Sequence, residues 1–520
     1  MFKLPTTSHL GSRRLVPLIF AIALVTILLN ALPRDESSTN WAAWEQAHEH
    51  TKAIKEWGGN LAPQWLRPGP NRKVEARRIL DLKYMLEETY PPNPWADARP
   101  LNWEALEELA ECIATNSCRS GQERVVLLAS SHFGQGLKGW TAGEDIWAAS
   151  TIEAFTSLNA TLLYTYGAMD TLLIYQAIPD LVKLVIWEGS LYGRCYNRND
   201  ENHLEEGSDG DWQTGKKGCI KRTGFEDGIP VWKSFMFHFW GNAVSHLGHN
   251  WTLAPENYAR GGIGNYYLGY SIETYCTKMK YYPADQREHR GLAYGKQRFY
   301  FDPSNGEYKW AGVLGPAIVA QAPGIDPKNG RSVAFEVIAT VDAPGDDLFE
   351  QNLTNLGVMY RDPWTENLAK SKFMLGVGKP KISPSPYDAL CLGVPFINPY
   401  VNILNFFSGG VKALDVDTSS LTNYNPDNVT DRSAWWDSQH DGFLDIPEPY
   451  VYHVPPRDQA RLTEVMAKAI ENPIERYIPE DRTKEAVQAR HAFLLDNDWL
   501  AAAEIAIVEK YQGAEVDFLL

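Results

Sequence analysis

Cysteine, positive charge and long apolar runs are all scarce in this 520-residue chain. Only six cysteines occur, with no Cys-x-x-Cys pair and no His/Cys cluster, so the usual signature of a zinc site is missing. Lys and Arg number 49 against 65 Asp and Glu, a formal net charge of −16. Such a surface repels polyanions and argues against a nucleic-acid partner. Only one stretch, residues 15–32, is uncharged and apolar enough to cross a bilayer. The chain shows no internal repeat and no low-complexity tract.

What is present describes a globular chain, with 44% hydrophobic and 22% charged residues. The length exceeds one ordinary core, so two domains are expected. Residues 15–32 would reach about 27 Å as a helix, close to a thin bilayer core. Lys3, Arg13 and Arg14 precede the stretch; Arg34, Asp35 and Glu36 follow it. The positive-inside rule puts residues 1–14 in the cytosol and the bulk of the chain in a lumen. A cleaved signal peptide is the rival reading. The long apolar region and the lack of a small-x-small site favour an uncleaved anchor. Residues 33–100 read as a stem with helices over 41–57 and 73–88. Sequons at Asn159, Asn250, Asn352 and Asn428 permit glycosylation. Cys112 with Cys118, and Cys195 with Cys219, suit disulfides in an oxidising compartment. Cys391 reads as a buried free thiol.

Residues 125–129 are a continuous apolar run, and 160–166 and 182–187 read as a second and third strand, separated by helical stretches near 145–157 and 170–177, a βαβαβ unit. A turn with Gly134, Gly136 and Gly139 is expected after the first run. A polar insertion spans 190–230. An aromatic belt follows, from Trp232 through Trp240 to Tyr270, expected as core with a possible second use in an acceptor groove. A second α/β half is expected from about 332. Its strands lie at 333–341, 356–360, 373–377, 395–398 and 451–454, and its helices at 364–371 and 458–471. The last helices, 480–495 and 499–512, are expected to pack back over the first half.

The most informative stretch is 375–399, LGVGKPKISPSPYDALCLGVPFINP. An apolar run ends in a Gly/Pro-rich turn, and a short helix over 386–392 follows. Ser385 is its expected N-cap, with Pro386 at the first position and Asp388 at the third. A loop of this kind at a helix start offers unpaired N–H groups to a phosphate.

Gly376, Gly378, Pro384, Pro386, Asp388, Ala389, Gly393, Phe396, Asn398 and Pro399 resemble the donor-side segment of the N-acetylglucosaminyltransferase V family, as its fungal-type members carry it. A weaker match covers 449–479. These family enzymes are Golgi proteins that add β1,6-linked GlcNAc to a mannose of N-glycans. The resemblance implies a GT-B-like α/β fold, two Rossmann-like domains facing a cleft, behind a transmembrane helix and helical stem. The acceptor domain would then span 101–331 and the donor domain 332–520. It also implies an inverting transfer from UDP-GlcNAc without a metal or other cofactor, in a single-pass type II Golgi membrane protein with a lumenal catalytic part. Donor-binding candidates are Gly376, Gly378, Lys379, Ser383, Ser385, Asp388, Asn398 and Lys412. Lys381 is a further candidate cation. The family carries an acid where this chain has Ile382.

The base belongs on the first half. His132 is the first choice, because its ordinary pKa suits proton removal from a sugar hydroxyl; Glu144 and Asp145 are alternatives. The Asp-x-Asp triplets at 209–211, 415–417 and 496–498 follow no buried strand and read as surface acids. Two further readings stay open: a GT-B transferase using another nucleotide sugar, and a non-catalytic, membrane-anchored glycan-binding protein.

Overall fold

Burial follows the apolar runs. In the computed structural model, residues 72–89, 97–196, 218–240, 245–258, 264–305, 308–342, 352–402, 436–516 and 518–520 are described. The anchor at 15–32, the stem helix at 41–57, Lys412, Asn428 and the triplets at 209–211 and 415–417 lie outside them. No helix among the described residues is long and apolar enough to cross a membrane.

Helices α1 (Arg72–Thr89) and α2 (Arg99–Thr115) lead into the first sheet. Its chain order is β1 (Val125–Ala129), α3 (Ser131–Leu137), α4 (Gly143–Ser157), β2 (Thr161–Thr165), α5 (Ala168–Ala177), β3 (Val182–Glu188) and α6 (Gly189–Tyr196). The strands β4 (Ser234–Phe237), β5 (Thr252–Ala254) and β6 (Tyr266–Tyr267) complete it. All pairings are parallel, in the spatial order β2-β1-β3-β4-β5-β6. Both faces are covered, which is why β1 is buried at every position. The expected glycine turn after β1 is instead the start of α3, because the Ser130 hydroxyl caps a helix there.

After α7 (Glu273–Cys276) the second sheet opens earlier than expected, with β7 (Arg290–Tyr294) rather than near 332. Next come α8 (Leu314–Val319), a separate ribbon of β8 (Gly324–Ile325) and β9 (Ser332–Val333), β10 (Glu336–Ala339), β11 (Leu353–Asn355) and α9 (Arg361–Ala369). The rest is β12 (Met374–Gly376), α10 (Ser385–Cys391), β13 (Phe396–Asn402), β14 (Trp436–Ser438), β15 (Val451–Val454) and α11 (Gln459–Glu471). The parallel order is β11-β10-β7-β12-β13-β15, with β14 antiparallel on β13. Counted within this half, that is 3-2-1-4-5-6, the doubly wound nucleotide-binding order.

Helices α12 (Lys484–Asp496) and α13 (Trp499–Tyr511) pack back over the first half. The Tyr266 hydroxyl donates to the Arg490 carbonyl at 2.7 Å, and the Trp499 ring meets Phe235 edge-on at 4.8 Å. Cys112–Cys118 and Cys195–Cys219 are disulfides. Cys391 is not a free thiol: it pairs with Cys276, the two Cα atoms 6.1 Å apart. That bond ties α10 to α7 across 115 positions of sequence.

Candidate active site

Ligands of an open parallel sheet sit beyond the strand carboxyl ends, where strand order reverses. In the first sheet that point lies between β1 and β3. Ser130 follows β1; its hydroxyl accepts from the His132 amide and donates to Glu188, each at 3.2 Å. Glu188 ends β3 and also accepts from Ser190 at 3.1 Å. The His132 Nδ1 lies 2.8 Å from an oxygen of Asp145, which is buried on α4. Burial of the His132 ring opposes its charging. The Asp145 hydrogen bond and the charges of Asp145, Glu188 and Glu144 outweigh it, so the His132 pKa is raised. His132 therefore holds its proton over more of the neutral range, and Asp145 acts as its orienting partner. The Glu144 side chain, half-buried in the first turn of α4, makes no hydrogen bond or ion pair among the described residues. Glu188 was not anticipated from sequence; its signal was a lone acid closing an apolar run.

In the second sheet the reversal lies between β7 and β12. The Tyr294 hydroxyl at the end of β7 lies 2.5 Å from that of Ser383. Trp310 Nε1 donates to the Gly376 carbonyl at 2.5 Å. Gly376 has no room for a side chain, because a Cβ would collide with Gln439 and Pro399. The segment after β14 straps the loop down. Gly378, at φ +116°, donates its N–H to the Gln439 side chain at 2.8 Å. Gln439 donates back to the Pro380 carbonyl at 3.2 Å, and its own carbonyl accepts from the Ile382 N–H at 3.0 Å. His440 Nε2 donates to the Ser383 carbonyl at 3.0 Å. Burial, reinforced by the Arg482 charge, holds His440 down to about 3, so the ring is neutral. Ile382 is buried at φ +48°, where a β-branched residue costs about 1–3 kcal/mol.

This geometry corrects several expectations. Helix α10 starts at Ser385 with Pro384 as its N-cap, so Ser385 is not the cap. The expected row of open amides is not formed. Pro384 and Pro386 carry no N–H, the Ser385 amide turns to the Ser383 hydroxyl at 3.5 Å, and the Tyr387 amide to the Pro384 carbonyl at 2.9 Å. The loop presents side chains instead: half-buried Lys379 and Lys381, and the Ser383 hydroxyl. Asp388 does not cap the helix or face the solvent. It is buried against Arg361 at 3.3 Å, and burial, opposed by Arg361, pushes its carboxyl up to about 6. Asn398 is also buried, donating to Ser438 at 2.9 Å and to the His440 carbonyl at 3.3 Å. It braces the strap. In the triplet at 496–498, Asp496 pairs with Arg124 and Asp498 caps α13. Among the described residues no three His, Cys, Asp or Glu side chains gather as a metal-ligand set.

The starts of α4 and α10 lie close together. A Cβ placed on Gly143, the first residue of α4, would fall 2.8 Å from the Phe239 ring and 3.4 Å from Pro384. The turn bearing Glu144 and Asp145 thus lies against the start of α10. A buried cluster beside this junction joins the halves. Glu256, after β5, pairs with Arg482, and its carboxylate accepts from the Tyr387 hydroxyl of α10 at 3.2 Å.

The model of glycosyltransferase family 18 matches residues 238–508, a little over half of the chain. The match covers the whole second sheet and begins downstream of His132, Glu144 and Glu188. No curated protein matches the chain.

Proposed function

The chain belongs to glycosyltransferase family 18, and on that premise we propose that it moves GlcNAc from UDP-GlcNAc to a mannose of an N-linked glycan, with inversion and a β1,6 linkage. The contact of Gly143 with Pro384 carries the reading, because it brings first-half acids against the loop at the second sheet's reversal point. That is the arrangement a GT-B transferase needs. Glu144 takes the proton of the attacking hydroxyl. Its carboxylate accepts no hydrogen bond among the described residues, whereas His132 is held toward its protonated form by Asp145. The hydroxyl oxygen attacks the anomeric carbon from the face opposite the diphosphate. His132, paired with Asp145, stands beside Glu144 and orients the acceptor. Lys379, Lys381 and the Ser383 hydroxyl receive the leaving diphosphate, without a metal.

Three disulfides fit an oxidising compartment. With residues 15–32 as a signal anchor, this supports a Golgi membrane protein whose catalytic part is lumenal. Ile382, where the resemblance expects an acid, favours a second reading in which the donor is another nucleotide sugar. Purified protein is tested for UDP release from UDP-GlcNAc with a mannoside acceptor in EDTA. Release that depends on the acceptor and survives the chelator is expected. Faster turnover of another nucleotide sugar would transfer the case to the second reading. Glycan binding without any release would overturn catalysis.

A further inference from the structure

Strand β2 is an edge strand of the first sheet, with α2 beside it. An edge strand turns the backbone groups of alternate residues away from its neighbour. The Thr161 amide points inward, to the Arg124 carbonyl at 3.0 Å, so Leu162 and Tyr164 turn theirs outward. Asn102 of α2 takes both groups of Tyr164: its side chain accepts from the amide and donates to the carbonyl, each at 2.8 Å. Among the described residues no side chain does this for Leu162. Leu162 instead lines a cavity of about 230 Å³ between α2 and β2, together with Leu101, Ala105, Gln122 and Asn159. Gln122 is only 7% exposed. Its side-chain oxygen accepts from the Arg119 amide at 3.1 Å, and its NH2 group makes no hydrogen bond among the described residues.

Asn159 stands exposed at the rim, in the turn from α4 to β2, and begins a sequon with Ala160 and Thr161. Its side chain makes no hydrogen bond among the described residues. We propose that Asn159 carries an N-linked glycan whose first sugar sits in this cavity. Asn159 Nδ2 attacks the anomeric carbon of an oligosaccharide held on a polyisoprenyl diphosphate. A C–N bond forms, the C–O bond to the diphosphate breaks, and the amide gives up one proton. The Thr161 hydroxyl is engaged in the folded chain, donating to the Gln122 carbonyl at 2.6 Å, so the transfer precedes closure of this turn. A hexosamine ring offers an apolar face to Leu101 and Ala105. Its hydroxyls and acetamido group meet the Gln122 NH2 and the outward groups of Leu162. The glycan then shields the edge of the sheet from pairing with another chain. The proposal rests on the lumenal reading, because the lipid-linked donor is met only there.

The full chain is expressed in a eukaryotic host and digested with peptide N-glycosidase in heavy-oxygen water, which marks each former glycan site for peptide mass spectrometry. Asn159 should be marked. Release from Asn159 in the native protein should be at least about tenfold slower than in Ala105→Arg, whose long side chain fills the cavity. Gln122→Met, which removes only the NH2 donor, should also speed release, by about threefold. All three proteins should release the glycan at one rate once denatured. A bare Asn159 with a glycan at Asn250, Asn352 or Asn428 overturns the proposal and leaves the lumenal reading standing. Four bare sequons overturn both. A glycan on Asn159 that leaves native wild type as fast as it leaves both variants overturns its seating in the cavity.

Discussion

Substitution of Glu256 or Arg482 tests how the two halves are held. Both side chains are buried, and the carboxylate also accepts from the Tyr387 hydroxyl at 3.2 Å and the Tyr270 hydroxyl at 3.4 Å. The Arg482 guanidinium stands 4.5 Å over the Tyr387 ring and donates to the Pro255 carbonyl at 2.8 Å. Burial opposes both charges. The Glu256 charge and the tyrosines overcome it for Arg482, whose pKa rises. Three donors on one carboxylate favour the ionised pair. Glu256→Gln strands a cation that cannot release its proton, a loss of about 3–5 kcal/mol. An unfolding entropy of about 2.1 cal/mol/K per residue gives roughly 1 kcal/mol/K for a body of this size, so Tm falls by about 3–5 °C. Arg482→Met behaves differently, because Glu256 escapes by binding a proton. Burial, opposed by Arg482, already pushes its carboxyl up to about 7, and removal of Arg482 pushes it higher. An acid with a raised folded pKa loses stability as pH rises toward that value. The Arg482→Met deficit relative to wild type should therefore grow between about pH 7 and 9, while the Glu256→Gln deficit stays flat. The double variant should cost less than Glu256→Gln alone. Scanning calorimetry across pH measures all three. Flat deficits for both single variants, or a Glu256→Gln loss below about 1 kcal/mol, would refute the reasoning.

Three further outcomes are expected. His440 and His491 are both held down to about 3 by burial, so the folded state takes up fewer protons than the unfolded chain below about pH 6.5. Stability is lost as pH falls through that window, and His491→Asn should flatten the slope in urea titrations at pH 7, 5.5 and 4.5. The paired substitution Cys276→Ser/Cys391→Ser opens the longest of the three disulfide loops and should cost about 4–5 kcal/mol on the chain-entropy account. A non-reducing digest should recover the 276–391 linked peptide from wild type only. Lys379→Ala should raise the donor KM about tenfold and leave the acceptor KM unchanged, read from initial rates of UDP release; an unaltered donor KM would remove Lys379 from the donor site.

Strands buried on both faces were the most legible elements. The run at 125–129 is continuous and apolar because helices cover both sides of the sheet, and the run at 182–187 is broken only by the exposed Lys183. Strand β7 was missed because it reads Arg-Gly-Leu-Ala-Tyr. Its glycine is required by the Phe373 ring lying against it, and its arginine pairs with Glu288 at 2.8 Å and donates to Asn367 at 2.7 Å. Both facts are tertiary. The strap at 438–440 has no local pattern, since its partners lie about 60 positions upstream. Cys391 looked like a lone thiol on an apolar helix face because Cys276 is distant in sequence. The engaged amides were partly legible. Pro384 and Pro386 remove two N–H groups from the start of the helix, and a count of donors would have shown how few remained.

The central claim is that Glu144 draws the proton while the sugar is transferred with inversion. Wild-type protein, UDP-GlcNAc and a mannoside acceptor should give the β-linked product by NMR. Glu144→Gln should lower kcat at least about 100-fold with both KM values little changed. A product retaining the donor's anomeric configuration, or a Glu144→Gln enzyme at full rate, would contradict the account.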